Sequence, residues 1–78
     1  MRNREPFAVV TFHTTAEAMA TEKACKENGI EGRLISTPRV LSADCGISWK
    51  SPVLLKKELE ELLKAKKIEF AGIAELEL

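Results

Sequence analysis

Two cysteines, one histidine and a handful of basic side chains are the residues here whose types could do chemistry. Cys45 stands beside Gly46 at the end of PRVLSADCG, residues 38–46. A cysteine is a nucleophile or a sulfur carrier only as its thiolate, so its surroundings decide its use. Gly46 leaves room for close approach to the sulfur and exposes a backbone N–H. His13 can take a proton or supply charge, and Arg39 can add a cation or clamp an anionic partner group. Asp44 works the other way, because an adjacent carboxylate disfavours a second negative charge. Cys25 reads differently: from mid-helix it faces inward as a small apolar residue. The two cysteines form no CxxC and have no His at ligand spacing, so the chain suggests neither a disulfide framework nor a zinc site, and no cofactor.

The elements that must position these residues follow from periodicity. Phe7-Ala8-Val9-Val10-Thr11-Phe12 is a run of β-formers apolar on both faces, which predicts an interior strand. Thr14 and Glu17 are spaced as a capping box, and residues 15–28 read as a helix stopped at Asn28-Gly29. Its inward side is built from Ala18, Thr21 and Cys25. Residues 32–37 predict a second strand cut off by Pro38, and Ile47-Ser48-Trp49-Lys50 a short third. Ser51-Pro52 reads as an N-cap with proline at the first helical position. Leu55, Leu59, Leu62 and Leu63 then mark an amphipathic helix. The last strand alternates, with Ile68, Phe70, Ala74, Leu76 and Leu78 on one face and Glu69, Glu75 and Glu77 on the other; Gly72 marks a soft spot.

The order β-α-β-β-α-β predicts an α+β, ferredoxin-like plan: a four-stranded antiparallel sheet, order 4-1-3-2, with two helices on one face. That topology turns the first strand into helix one, ends the second strand and starts the third at a single rim. His13, the helix N-terminus at Thr14–Glu17 and the loop 38–46 are therefore expected together. A helix N-terminus brings partial positive charge and unpaired N–H groups to such a site.

The chain has 78 residues, with 12 Lys plus Arg against 12 Asp plus Glu. That length predicts one domain over residues 1–78, with residues 1–5 a flexible tail, and a core with little room to enclose a large substrate. The charge balance favours neither nucleic acid nor a membrane surface. MRNREPFAVVTF does not read as a signal peptide, and no stretch is long and apolar enough to span a bilayer. The thiols expect a reducing cytoplasm. The outer sheet face, read as charged, or an edge strand offers a homodimer contact.

The chain resembles the DUF3343 family of selenium/sulfur carrier-like proteins. The resemblance rests on VVTFHTTAEAM at 9–19, ENGIEGRLISTPR at 27–39, LSADCGIS at 41–48 and IEFAGIAELEL at 68–78. Its most specific part is the loop Pro38, Arg39, Ser42, Cys45, Gly46. The resemblance implies a carrier, rather than a stand-alone enzyme, that holds a persulfide or selenopersulfide on Cys45. In that reading the rim placement would let His13 accept the proton, with Arg39, Ser42, Gly46 and Thr14 at the binding site. The partners would be a donor such as a cysteine desulfurase and an acceptor enzyme. The Cys-Pro-x-Pro motif of TusA-like carriers is not present. A non-catalytic ligand- or protein-binding regulatory module of the same fold is the alternative, and a redox or metal role for both cysteines ranks last.

Overall fold

Ala8, Val9 and Val10 are each wholly buried, as suits an interior strand flanked on both edges. The computed structural model describes residues 5–41 and 45–78. Its elements run β1 (Pro6–Thr11), α1 (Thr15–Glu27), β2 (Arg33–Ser36), β3 (Ile47–Pro52), α2 (Lys56–Ala65) and β4 (Gly72–Glu77). All neighbouring strands pair antiparallel, in the order β4-β1-β3-β2. This is the expected ferredoxin-like α+β layout. Of the expected tail, residues 1–4 lie outside the described residues. Glu5 is tied down, exchanging backbone hydrogen bonds of 3.1 and 3.0 Å with Leu78.

Both helices cover the sheet face that carries Ala8, Val10, Phe12 and Trp49. α1 is capped as its sequence predicts, with Thr14 and Glu17 bonding reciprocally, and Asn28 and Gly29 end it, Gly29 at φ 71°. Its buried side is Ala18, Thr21, Ala24 and Cys25. These small residues let it lie close to the sheet, and the Thr21 hydroxyl is satisfied by donating to the Glu17 carbonyl at 3.0 Å. α2 buries Leu59 and Leu63 completely, each contributing about 1.5–3 kcal/mol. Gly32 is glycine for want of space. A Cβ there would run into the Lys50 carbonyl oxygen and stand 2.7 Å from both Ser51 Oγ and Trp49 Cζ2.

Two local expectations are corrected. Ser51 and Pro52 do not begin the second helix; they are the last residues of β3. The Ser51 hydroxyl accepts a hydrogen bond from Trp49 Nε1 at 2.8 Å inside the core, a tertiary demand that outweighs its N-cap preference. α2 instead starts at Lys56, after a 3-10 turn over Val53–Leu55.

The alternation of the last segment also changes sides. Ile68 and Phe70 pack against the core, and so does Ile73, so the parity shifts across Ala71-Gly72. Within β4, Ala74 pairs with Val9 and Leu76 with Phe7. Those two β1 residues point away from the helices, on the side opposite Ala8 and Val10. The outer face is consequently apolar along β4 and β1. Among the described residues Lys50 and Arg33 stand on this face, and the Lys50 ammonium lies 4.2 Å above the Phe7 ring. Glu75 falls on the helix side and meets Lys56 of α2 at 3.0 Å.

Candidate functional site

The antiparallel ladder places the end of β1, the end of β2 and the start of β3 at one rim: Thr11 pairs with Ser48, and Ser36 with Ile47. Two backbone hydrogen bonds and the Thr37 hydroxyl then draw the return of the long loop into this rim. The Cys45 N–H donates to the Phe12 carbonyl at 3.3 Å, beyond the last residue of β1. The Thr37 N–H donates to the Gly46 carbonyl at 2.9 Å. The Thr37 hydroxyl donates to the Cys45 carbonyl at 3.1 Å and lies 2.7 Å from Ser48 Oγ. Since the Thr37 proton points at Cys45, the Ser48 hydroxyl is the donor in that second contact. Both backbone polar groups of Cys45 are thus held, which fixes the direction in which its side chain leaves the chain.

It goes inward. Cys45 is 7% exposed and joins the core cluster with Phe12, Ala18, Trp49 and Cys25. The sequence expects a thiol presented in a loop. The position at the rim is as expected, but the pairing of Cys45 with Phe12 turns the sulfur under the start of α1. There Sγ lies 3.8 Å from the hydroxyl of Thr15, the first residue of that helix. Thr15 is itself exposed, so it sits between the sulfur and solvent.

The electrostatics of this corner are mixed. The N-terminal end of α1 favours negative charge nearby. The Glu17 carboxylate already occupies part of that end, accepting from the N–H groups of His13 at 2.8 Å and Thr14 at 3.4 Å. The turn after α2 adds Lys67 and Glu69, which line a shallow groove with Ala16 and Glu17 of α1.

Of the residues singled out by sequence, His13 follows Phe12 directly, at the rim and exposed. Thr14 is there too, but its hydroxyl accepts from the Glu17 N–H at 3.2 Å and serves the helix cap. Gly46 is exposed, and a Cβ built on it meets nothing within 4 Å. It also avoids the left-handed backbone region, so neither space nor conformation demands glycine there. Arg39 is exposed in the loop after β2. Ser42 and Asp44 lie outside the described residues.

Thr15 is the contact that sequence reasoning passed over. With Thr14 as the N-cap, Thr15 becomes the first helical residue, which was the available signal. Thr37 was also missed, and its role rests on a loop closure that no local pattern encodes.

Cys25 is wholly buried, and desolvation pushes its thiol up from 9.0 to about 11. Among the described residues no three His, Cys, Asp or Glu side chains stand together as metal ligands would. Among them, too, no helix is long and apolar enough to cross a membrane.

Compared with known proteins, residues 7–75 match the model of one family, described as "Putative Se/S carrier protein-like". No curated protein and no solved structure matches the chain.

Proposed function

This chain belongs to the Se/S carrier protein-like family, and we propose that it carries sulfur or selenium as a persulfide or selenopersulfide on Cys45 and relays it between partner enzymes. The observation that carries this reading is the site of the sulfur: Sγ of Cys45 beneath the N-terminal end of α1, 3.8 Å from Thr15 Oγ1.

The chemistry is a pair of exchanges between thiolates and persulfides. The Cys45 thiolate attacks the terminal sulfur of a donor's persulfide, a new S–S bond forms at Cys45, and the donor's S–S bond breaks. The donor cysteine leaves with the electron pair as a thiolate. An acceptor thiolate then attacks the terminal sulfur on Cys45 and regenerates the Cys45 thiolate. No outside oxidant or reductant enters either step. A donor such as a cysteine desulfurase supplies the first persulfide, and the reducing cytoplasm suits a thiol cycle of this kind.

The residues divide the work. His13 at the rim accepts the thiol proton. Arg39 offers an outward cation to an anionic partner surface. Gly46, with open space where a side chain would be, gives the partner's reacting sulfur its approach. In this reading the near-burial of Cys45 shields its sulfur from adventitious oxidation between partners. It also implies that transfer happens within a docked complex rather than by release into solvent.

A docking module of the same fold predicts something different, and Cys45→Ala separates the two. With a desulfurase, labelled cysteine and a thiol acceptor, the relay predicts transfer falling to background while binding to the desulfurase persists. Undiminished transfer through Cys45→Ala would leave the docking module as the better account.

A further inference from the structure

We infer that Thr15 is the hydroxyl donor that holds the sulfur of Cys45 in its ionised form. This inference deepens the carrier reading and rests on it for its biological meaning. In the neutral thiol either partner of the 3.8 Å Thr15–Cys45 contact can donate. Once Cys45 ionises, its sulfur has no proton and only accepts, so the hydroxyl must be the donor. The same holds for Sγ after a second sulfur is attached, since that atom carries no proton either.

Among the described residues, three observations single out Thr15 from the other rim hydroxyls. The Thr14 oxygen is turned into the helix cap, where it accepts from the Glu17 N–H at 3.2 Å, and it is Thr15 Oγ1 that stands 3.8 Å from the sulfur. The Thr37 hydroxyl donates to the Cys45 carbonyl and not to the sulfur. The backbone of Cys45 is held, its N–H by Phe12 and its carbonyl by Thr37, and its side chain is packed in the core cluster. Thr15 is also the exposed member of the pair, so a partner reaching for the buried sulfur passes beside its side chain.

Two opposing effects set the size of the consequence. A hydrogen bond to a charged acceptor is worth about tenfold in an equilibrium that forms that charge. The more basic thiolate left behind is intrinsically more nucleophilic, with a Brønsted slope of about 0.4–0.5, which returns roughly half of that loss on a logarithmic scale. The loss of thiolate wins, and the net expectation is disulfide exchange slowed about threefold.

The test is labelling of the whole chain by a dipyridyl disulfide at neutral pH, read peptide by peptide so that Cys25 and Cys45 are scored separately. Thr15→Val removes the hydroxyl and keeps the shape; Thr15→Ser keeps the hydroxyl. Position 15 is exposed at a helix start, so both variants should fold, and circular dichroism checks this. The inference expects Cys45 labelling slowed about threefold in Thr15→Val and restored to near the wild-type rate in Thr15→Ser. Wild-type labelling in Thr15→Val, or equal slowing in both variants, would overturn it. A parallel arm loads the same proteins from a desulfurase and cysteine. If wild-type Cys45 takes up no sulfur there, the carrier reading fails, while the labelling arm still decides the role of Thr15.

Discussion

Cys25 and Cys45 share one cluster of buried side chains but meet different neighbours. Cys25 lies on the buried face of α1, where desolvation pushes its thiol up to about 11. The folded chain therefore holds that proton more tightly than the unfolded chain does. This contribution to stability is complete below 9.0 and is lost as the pH rises toward about 11. Its full size is about 2–3 kcal/mol. Urea denaturation across that range should show a decline in the wild type that is smaller in Cys25→Ala, with lysine titration common to both. Identical slopes would contradict it. Cys45 instead meets a rim hydroxyl, that of Thr15, at 3.8 Å. Its place at the rim was legible from strand order. Its burial was not, because that depends on one long-range bond, from its own N–H to the Phe12 carbonyl, and loop composition says nothing about such a bond.

Among the elements, α1 was the most legible, since its signals are local. A capping box and an Asn-Gly stop act within a turn of the residues that carry them. The boundary between β3 and α2 was not, because two roles compete for Ser51. Its preference for helix starts is worth about 1 kcal/mol. Leaving the buried Trp49 N–H without an acceptor costs about 1–3 kcal/mol. The tertiary role wins. Ser51→Ala should accordingly lower stability in urea by about 1–3 kcal/mol and perturb the fluorescence of Trp49, the only tryptophan. A loss of helical signal with unchanged fluorescence would return Ser51 to the cap. The segment 68–78 was misread for a related reason. Its alternation looks continuous in sequence, but the chain enters β4 at Gly72 and the faces exchange there, so Ala74 and Leu76 join the outer face.

At the scale of the molecule, the β-α-β-β-α-β order alone brings the ends of β1 and β2, the start of β3 and the head of α1 to one edge. That is why residues far apart in sequence could be expected as neighbours before any contact was known. Side-chain detail did not follow from the order: Thr15, and not Thr14, meets the sulfur. The rim thus joins a pinned, nearly buried thiol to an open flank at Gly46 and a helix end that favours negative charge. A carrier that loads only within a docked complex needs this combination. The most direct measurement of that claim is mass spectrometry of the chain after incubation with a cysteine desulfurase and cysteine, with the adduct mapped to a peptide. The account predicts a gain of about 32 Da on Cys45 that a reducing agent removes, and none on Cys25. An unmodified Cys45, under conditions that load an established sulfur carrier, would contradict it.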